Sequence, residues 1–215
     1  MIDKLHYISQ KPSNGTHLDA IEAVLKAGGR WIQLRVKDQS ASEIMDLAIQ
    51  SRELCEQYGA RLIVNDYPLI ARDAGAHGVH LGLSDMPIRE ARKVLGHNMI
   101  IGGTANTFEH IVQRVREGAD YIGLGPYRFT RTKENLSPII GIDGYKVIME
   151  QVRQAGLSIP IVAIGGITAD DVSLLIQIGL HGVAVSGSLT NQQAIDEEMA
   201  CMYTDLQVTD RFINP

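Results

Sequence analysis

An α/β fold in which eight strand–helix units close into one single-domain (β/α)8 TIM barrel is what this sequence predicts, on three observations. Short apolar runs recur at fairly even spacing: LHYIS, WIQLRV, RLIVND, HGVHLG, MIIGGT, DYIGLG, PIVAIGG and HGVAVSG. Stretches with helical periodicity lie between them, and parallel neighbours require such crossovers. The phrase Gly-Ala-x-x-(Val/Ile) returns in GAHGVHL and GADYIGL, with GLHGVAV related to it, and marks a helix end, a tight turn and the next strand. Eight alternations in 215 residues fit a closed barrel. An open doubly wound sheet usually opens with a glycine fingerprint after its first strand, and HYISQKPSNGTH has none.

The elements follow in chain order. In WIQLRVK the side chains alternate, so Ile32, Leu34 and Val36 face the helices, while Trp31, Gln33, Arg35 and Lys37 point into the barrel. A helix then starts at the capping-box pattern Ser40-x-x-Glu43, with Ile44, Leu47, Ala48, Leu54, Cys55 and Tyr58 on one face. Further helices are expected over residues 111–118 and 145–156. Another opens at Thr168-x-x-Asp171, carries Leu174, Leu175 and Ile178, and stops at Gly179. The domain spans residues 1–215, with a C-terminal tail from about 205.

Composition limits the function. The apolar fraction of 45% and charged fraction of 21% are those of an ordinary globular chain. A net charge of −5 gives no global attraction to nucleic acid or to an anionic membrane, so any phosphate binding must be local. No apolar run approaches the ~18 residues of a membrane span, and MIDKLHYISQK has no signal-peptide core. Cys55 and Cys201 are far apart, without metal spacing, and read as packing thiols of a cytoplasmic protein. Assembly into a homo-oligomer is left open.

In a barrel of this kind, functional residues sit where strands end and βα loops begin. Those ends read ISQK, LRVKDQ, VNDY, HLGLSD, GGTANT, GPYRFTRTK, AIGGIT and AVSGS, and the helix-to-strand junctions carry no such polarity. Arg35 and Lys37, pointing inward, need anions: either barrel carboxylates in a structural ion pair or an anionic ligand. Asp66, beside Asn65, and Asp85 end adjacent strands and either cap their loops or converge on a cation. Mg2+ suits two carboxylates with waters and substrate phosphates. Gly165, Gly166, Ser186 and Gly187, with the Ser188 hydroxyl, read as a phosphate cradle after strands seven and eight, or as tight turns needing positive φ. His80 has inward parity and is either a satisfied core residue or a site residue.

QLRVK, VNDY, GVHLG, GADYIGLGPYRFTRTK, PIVAIGGI and GVAVSGS, in this order, resemble the thiamin phosphate synthase family from about Leu5 to Thr190. Its TxTK and NDxxxxA elements are specific. The resemblance implies a (β/α)8 barrel that joins 4-amino-5-hydroxymethyl-2-methylpyrimidine diphosphate to 4-methyl-5-(2-phosphooxyethyl)thiazole, with Mg2+ and release of pyrophosphate. It implies Gln33, Arg35, Lys37 and Asn65 on the diphosphate substrate and Asp66 and Asp85 on the metal. Thr104 stands where the family often has serine. Thr130 and Thr132 would contact the thiazole, Lys133 the departing pyrophosphate, and Gly166, Ser186 and Gly187 the thiazole phosphate. The loop's cations, Arg128 among them, would face the leaving group. The chain departs from the pattern at Leu83, where glutamine is usual, and at Thr104-x-Asn106, where SxH is common. Related thiazole tautomerases share the barrel but tend to lose the threonine-lysine signature, and a thiamin-precursor sensor would bind without turnover.

Overall fold

A computed structural model describes residues 1–130, 137–190 and 194–208. Eight strands alternate with helices: β1 (Leu5–Ile8), α1 (His17–Lys26), β2 (Trp31–Leu34), α2 (Ala41–Gln57), β3 (Arg61–Asn65), α3 (Pro68–Asp73), β4 (Gly78–Leu81) and α4 (Ile88–Leu95). The second half continues with β5 (Ile100–Ala105), α5 (Phe108–Glu117), β6 (Tyr121–Leu124), α6 (Gly141–Gln154), β7 (Ile161–Ile164), α7 (Ala169–Ile178), β8 (Gly182–Val185), the short α8 (Gly187–Thr190) and α9 (Ile195–Val208). All strands are parallel and the sheet closes in chain order, β8 pairing back onto β1. No open sheet edge remains to be protected.

The start and stop signals act as their chemistry dictates. The Ser40 hydroxyl accepts from Glu43 N at 3.3 Å, and the Glu43 carboxylate accepts from Ser40 N at 2.8 Å. Thr168 N and its hydroxyl both donate to Asp171 Oδ2 at 3.0 Å. The repeated helix-ending glycines, Gly75, Gly118 and Gly179, have φ of 68°, 90° and 106°, a region that costs a side-chain-bearing residue strain. Residues 205–208, expected as tail, are instead the last turn of α9. Met199, Met202 and Leu206 bury one face of that helix, and the Lys4 ammonium holds the Leu206 carbonyl at 3.2 Å.

Two apolar layers result. Ile32, Leu34 and Val36 belong to the large layer between strands and helices, whereas Trp31 lies with Ile8, Ile63, Tyr121, Val162 and Ala184 inside the barrel. There His6 stacks on Trp31 at 4.5 Å between ring centroids, and Tyr121 meets both edge-on. Glycine makes room for these rings: a Cβ on Gly102 would lie 2.2 Å from Tyr121 Cζ and 2.6 Å from His80 Nδ1. The plug of rings forms the cavity's floor, because His80 reaches up from it. Its Nδ1 is 3.0 Å from the Tyr121 hydroxyl and its Nε2 is 3.0 Å from the Thr104 hydroxyl.

Candidate active site

A cavity of about 1080 Å3 opens at the C-terminal ends of the strands. Gln33 on β2 with Arg35 and Lys37 after it, Asn65 at the end of β3 with Asp66 after it, His80 and Asp85 on and after β4, and Thr104 on β5 all line it. So do Thr130 after β6, Gly165 and Gly166 after β7, and Ser186 and Gly187 after β8. Thr132 and Lys133 lie outside the described residues. The strands, each contributing its end, bring into one space residues as far apart in the chain as Ile8 and Ser188.

On the β2–β4 side the charges are packed together. Lys37 Nζ donates to Asp66 Oδ2 at 2.8 Å, so the ion-pair reading of Lys37 holds, with half of its side chain still in solvent. Asp66 takes φ of 68°, uncommon for a residue with a Cβ, and its N–H donates to the His80 carbonyl at 2.9 Å. That backbone turn brings its carboxyl within hydrogen-bonding reach of Asp85. Burial raises the Asp66 pKa, but the Lys37 hydrogen bond, the Asp85 hydrogen bond and the Lys37 and Arg35 charges outweigh it and leave the carboxyl below its ordinary value. Asp85 moves the other way: burial, then its hydrogen bond to and repulsion from Asp66, push its carboxyl up. Asp85 Oδ2 also accepts from Gly82 N at 2.6 Å, so the loop-cap reading is true of it as well. Two abutting carboxylates beside a lysine form an all-oxygen donor set, which fits a small hard divalent cation.

Around the barrel, β7 and β8 present backbone and hydroxyl groups. Gly165 and Gly166 adopt φ of 99° and 70°, as the tight-turn reading required. Close approach adds a second reason: a Cβ on Gly165 would meet Pro126 Cβ at 2.8 Å, and one on Gly166 would meet Arg128 Cβ and the Phe129 carbonyl at 3.0 Å. A Cβ on Gly187 would meet nothing nearer than Gln10 Oε1 at 3.7 Å, so that position is open. The Ser188 hydroxyl, in the short α8, is buried with no hydrogen-bond partner among the described residues, while the Leu189 and Thr190 amides of that helix donate to the Ser186 carbonyl and leave the first amides, of Gly187 and Ser188, facing outward from the turn. An anion would satisfy both.

The β6–α6 connection departs from expectation at Arg128. Its guanidinium does not turn toward a leaving group; it pairs with Asp171 of α7. Gly166 and Asp171 offer acceptors within its reach, which the sequence spacing did not disclose. At the returning end, the Ser137 hydroxyl donates to Asn106 Oδ1 at 3.0 Å, and Asn106 Nδ2 donates to the Gly125 carbonyl. Asn106, a departure from the family pattern, thus ties β5 to both ends of this connection.

Several lining residues were not singled out in the sequence. Ser9, Gln10 and Lys11 come from the β1–α1 connection and His17 from the first turn of α1. The Ser9 hydroxyl accepts from Arg35 N and contacts His17 Nδ1, both at 3.0 Å. Burial, then the Lys11 and Arg35 charges, hold His17 below its ordinary pKa, which reports a positive field on that wall. The strand end ISQK carried the signal, but a single lysine among polar residues is weak. Arg114 of α5 is buried, and it donates to the Gly82 carbonyl at 2.8 Å and the Thr104 carbonyl at 3.2 Å while pairing with Glu117 at 2.8 Å. It clamps the ends of β4 and β5 from behind.

A family model described as thiamine monophosphate synthase matches residues 5–189. A relative from Flavobacterium johnsoniae named thiamine-phosphate synthase is 49% identical over 190 residues, covering 88% of this chain and 90% of its own. One of the same name from Bacteroides thetaiotaomicron is 44% identical over 185 residues, 86% of this chain and 88% of its own. Among solved structures, a thiamine phosphate pyrophosphorylase from Pyrococcus furiosus matches with a TM-score of 0.81 at 28% identity, over 95% of this chain and 96% of that one. A match that runs from the first strand to the short helix after the last takes in every strand end that builds the cavity, and the chain belongs to the thiamine monophosphate synthase family.

Proposed function

We propose that this barrel joins 4-amino-5-hydroxymethyl-2-methylpyrimidine diphosphate to 4-methyl-5-(2-phosphooxyethyl)thiazole, giving thiamin monophosphate and pyrophosphate. One observation carries the reading beyond family membership. A single cavity has a cation-and-carboxylate cluster at β2–β4 and a glycine–serine cradle at β7–β8, across the ring from each other. Two phosphorylated reactants placed there would meet in the middle.

The C–O bond to pyrophosphate breaks first, the aminopyrimidine stabilises the methylene cation, and the thiazole nitrogen attacks it. Negative charge grows on the departing oxygens, so what the protein must supply is preorganised positive charge. Arg35, Lys37 and Lys133 hold that charge, with Gln33, Asn65 and Thr104 fixing the diphosphate substrate. Asp66 and Asp85 would hold Mg2+, which neutralises phosphate charge when bound. Thr130 and Thr132 orient the thiazole, and Gly166, Ser186 and Gly187 take its phosphate. His80 holds the Thr104 hydroxyl from below. Holding both reactants supplies the orientation term, and reactants that fill the cavity displace water from around the cation. This order of bond breaking and attack needs no strong general base. Such small phosphorylated substrates suit a cytoplasmic enzyme, and among the described residues no helix is long and apolar enough to cross a membrane.

The test is turnover of both substrates with Mg2+, and again with EDTA. Thiamin monophosphate formed only with metal supports the reading. Activity on a thiazole carboxylate phosphate alone, insensitive to EDTA, would replace it with a tautomerase.

A further inference from the structure

Arg128 grips α7 with a two-pronged guanidinium. Nη1 donates to Asp171 Oδ2 at 2.6 Å and to the Gly166 carbonyl at 3.0 Å, Nη2 donates to Asp171 Oδ1, and the guanidinium carbon lies 4.7 Å from the Tyr127 ring centroid. The same Asp171 oxygen accepts from Thr168 N and its hydroxyl. One arginine therefore holds both ends of the turn at residues 166–168, whose residues line the cavity where the thiazole phosphate is placed above.

As a plain ion pair this arrangement would contribute little, because 47% of the Arg128 side chain is in solvent. Its consequence is electrostatic. The capping carboxylates of α1 and α2, Asp19 and Glu43, are exposed, and water screens them. Asp171 is buried, its side chain 7% exposed, and it occupies the positive end of α7, directly behind the 165–168 turn that lines the cavity. Left alone it would repel a phosphomonoester and compete with it for the same amides.

We propose that Arg128 is a positioning residue for phosphate binding: by cancelling Asp171 and engaging the Gly166 carbonyl, it keeps the 165–168 turn receptive to a dianion. This rests on the functional reading above and makes the two partners act in opposite directions, which a merely structural pair does not.

The experiment measures KM for the phosphorylated thiazole, with the pyrimidine diphosphate saturating, in wild type, Arg128→Met, Arg128→Lys, Asp171→Asn and the double variant. Arg128→Met raises this KM on the order of tenfold, one uncancelled charge near a dianion, and moves KM for the pyrimidine diphosphate less than about twofold. Asp171→Asn lowers it, Arg128→Lys restores most of the loss, and the double variant returns toward wild type. With 4-methyl-5-(2-hydroxyethyl)thiazole, which lacks the phosphate, the Arg128→Met effect disappears. Should Arg128→Met and Asp171→Asn both raise KM, or should the unphosphorylated alcohol show the same loss, the pair is only a brace. Wild-type protein that turns over neither substrate overturns the functional reading with it.

Discussion

Burial pushes both carboxyls up, but at Asp66 the hydrogen bonds and charges led by Lys37, at 2.8 Å, outweigh it, whereas at Asp85 the hydrogen bond to and repulsion from Asp66 add to it, so the two shifts are opposite. A divalent cation relieves that repulsion, so Asp85→Asn is expected to raise the Mg2+ concentration for half-maximal rate on the order of tenfold or more. An unchanged Mg2+ titration would remove Asp85 from the metal. Lys133→Ala is expected to lower kcat by about 10²–10³, the scale of a lost charge-stabilising donor. Near-normal turnover in that variant takes the residue out of the mechanism. These residues were legible because strand ends betray themselves: an inward charge such as Arg35 demands an anion, from a barrel carboxylate or from a ligand. Arg128 was not, because its partner lies 43 residues on and only the packed loops bring them together.

At the scale of elements, α5 acts on the site without touching it. Arg114 spans from its helix to the carbonyls of Gly82 and Thr104, so it holds the β4–α4 loop that carries Asp85 and the strand that carries Thr104. Its side chain is 3% exposed, and removing it leaves two carbonyls and Glu117 with lost partners. Arg114→Ala is expected to cost about 3 kcal/mol in urea unfolding. Arg114→Lys recovers little, since a single ammonium cannot span three acceptors. A loss under about 1 kcal/mol for Arg114→Ala would deny the clamp. Helical periodicity placed Arg114 on a helix, but no local pattern tells a buried arginine from a surface one. The capping boxes at Ser40 and Thr168 were legible for the contrary reason, as their partners lie within one turn. The end of α9 was not, since its polar residues hid the buried Met199, Met202 and Leu206 face.

For the molecule as a whole, the closed barrel fixes both its stability and its site. His6, sealed in the ring plug, is pushed down to a pKa of about 3 by burial, partly offset by its hydrogen bond to the Asp3 carbonyl. The unfolded chain protonates it near 6.5 and the folded one near 3, so its contribution to stability falls as pH drops through that window. Between pH 7 and pH 5, wild type should lose about 2 kcal/mol more unfolding free energy than His6→Phe does. Equal losses would mean that His6 takes up its proton within the fold. The barrel itself was legible from eight runs and their spacing, while the interior ring stack was not, because it depends on register between strands far apart in sequence. The central claim is that this one cavity couples two phosphorylated substrates with departure of pyrophosphate. Phosphorus NMR of the protein with both substrates and Mg2+ tests it most directly. Pyrophosphate and thiamin monophosphate signals rising in equal amounts, and stopped by EDTA, is the predicted result; loss of substrate diphosphate without thiamin monophosphate, or no change at all, would contradict it.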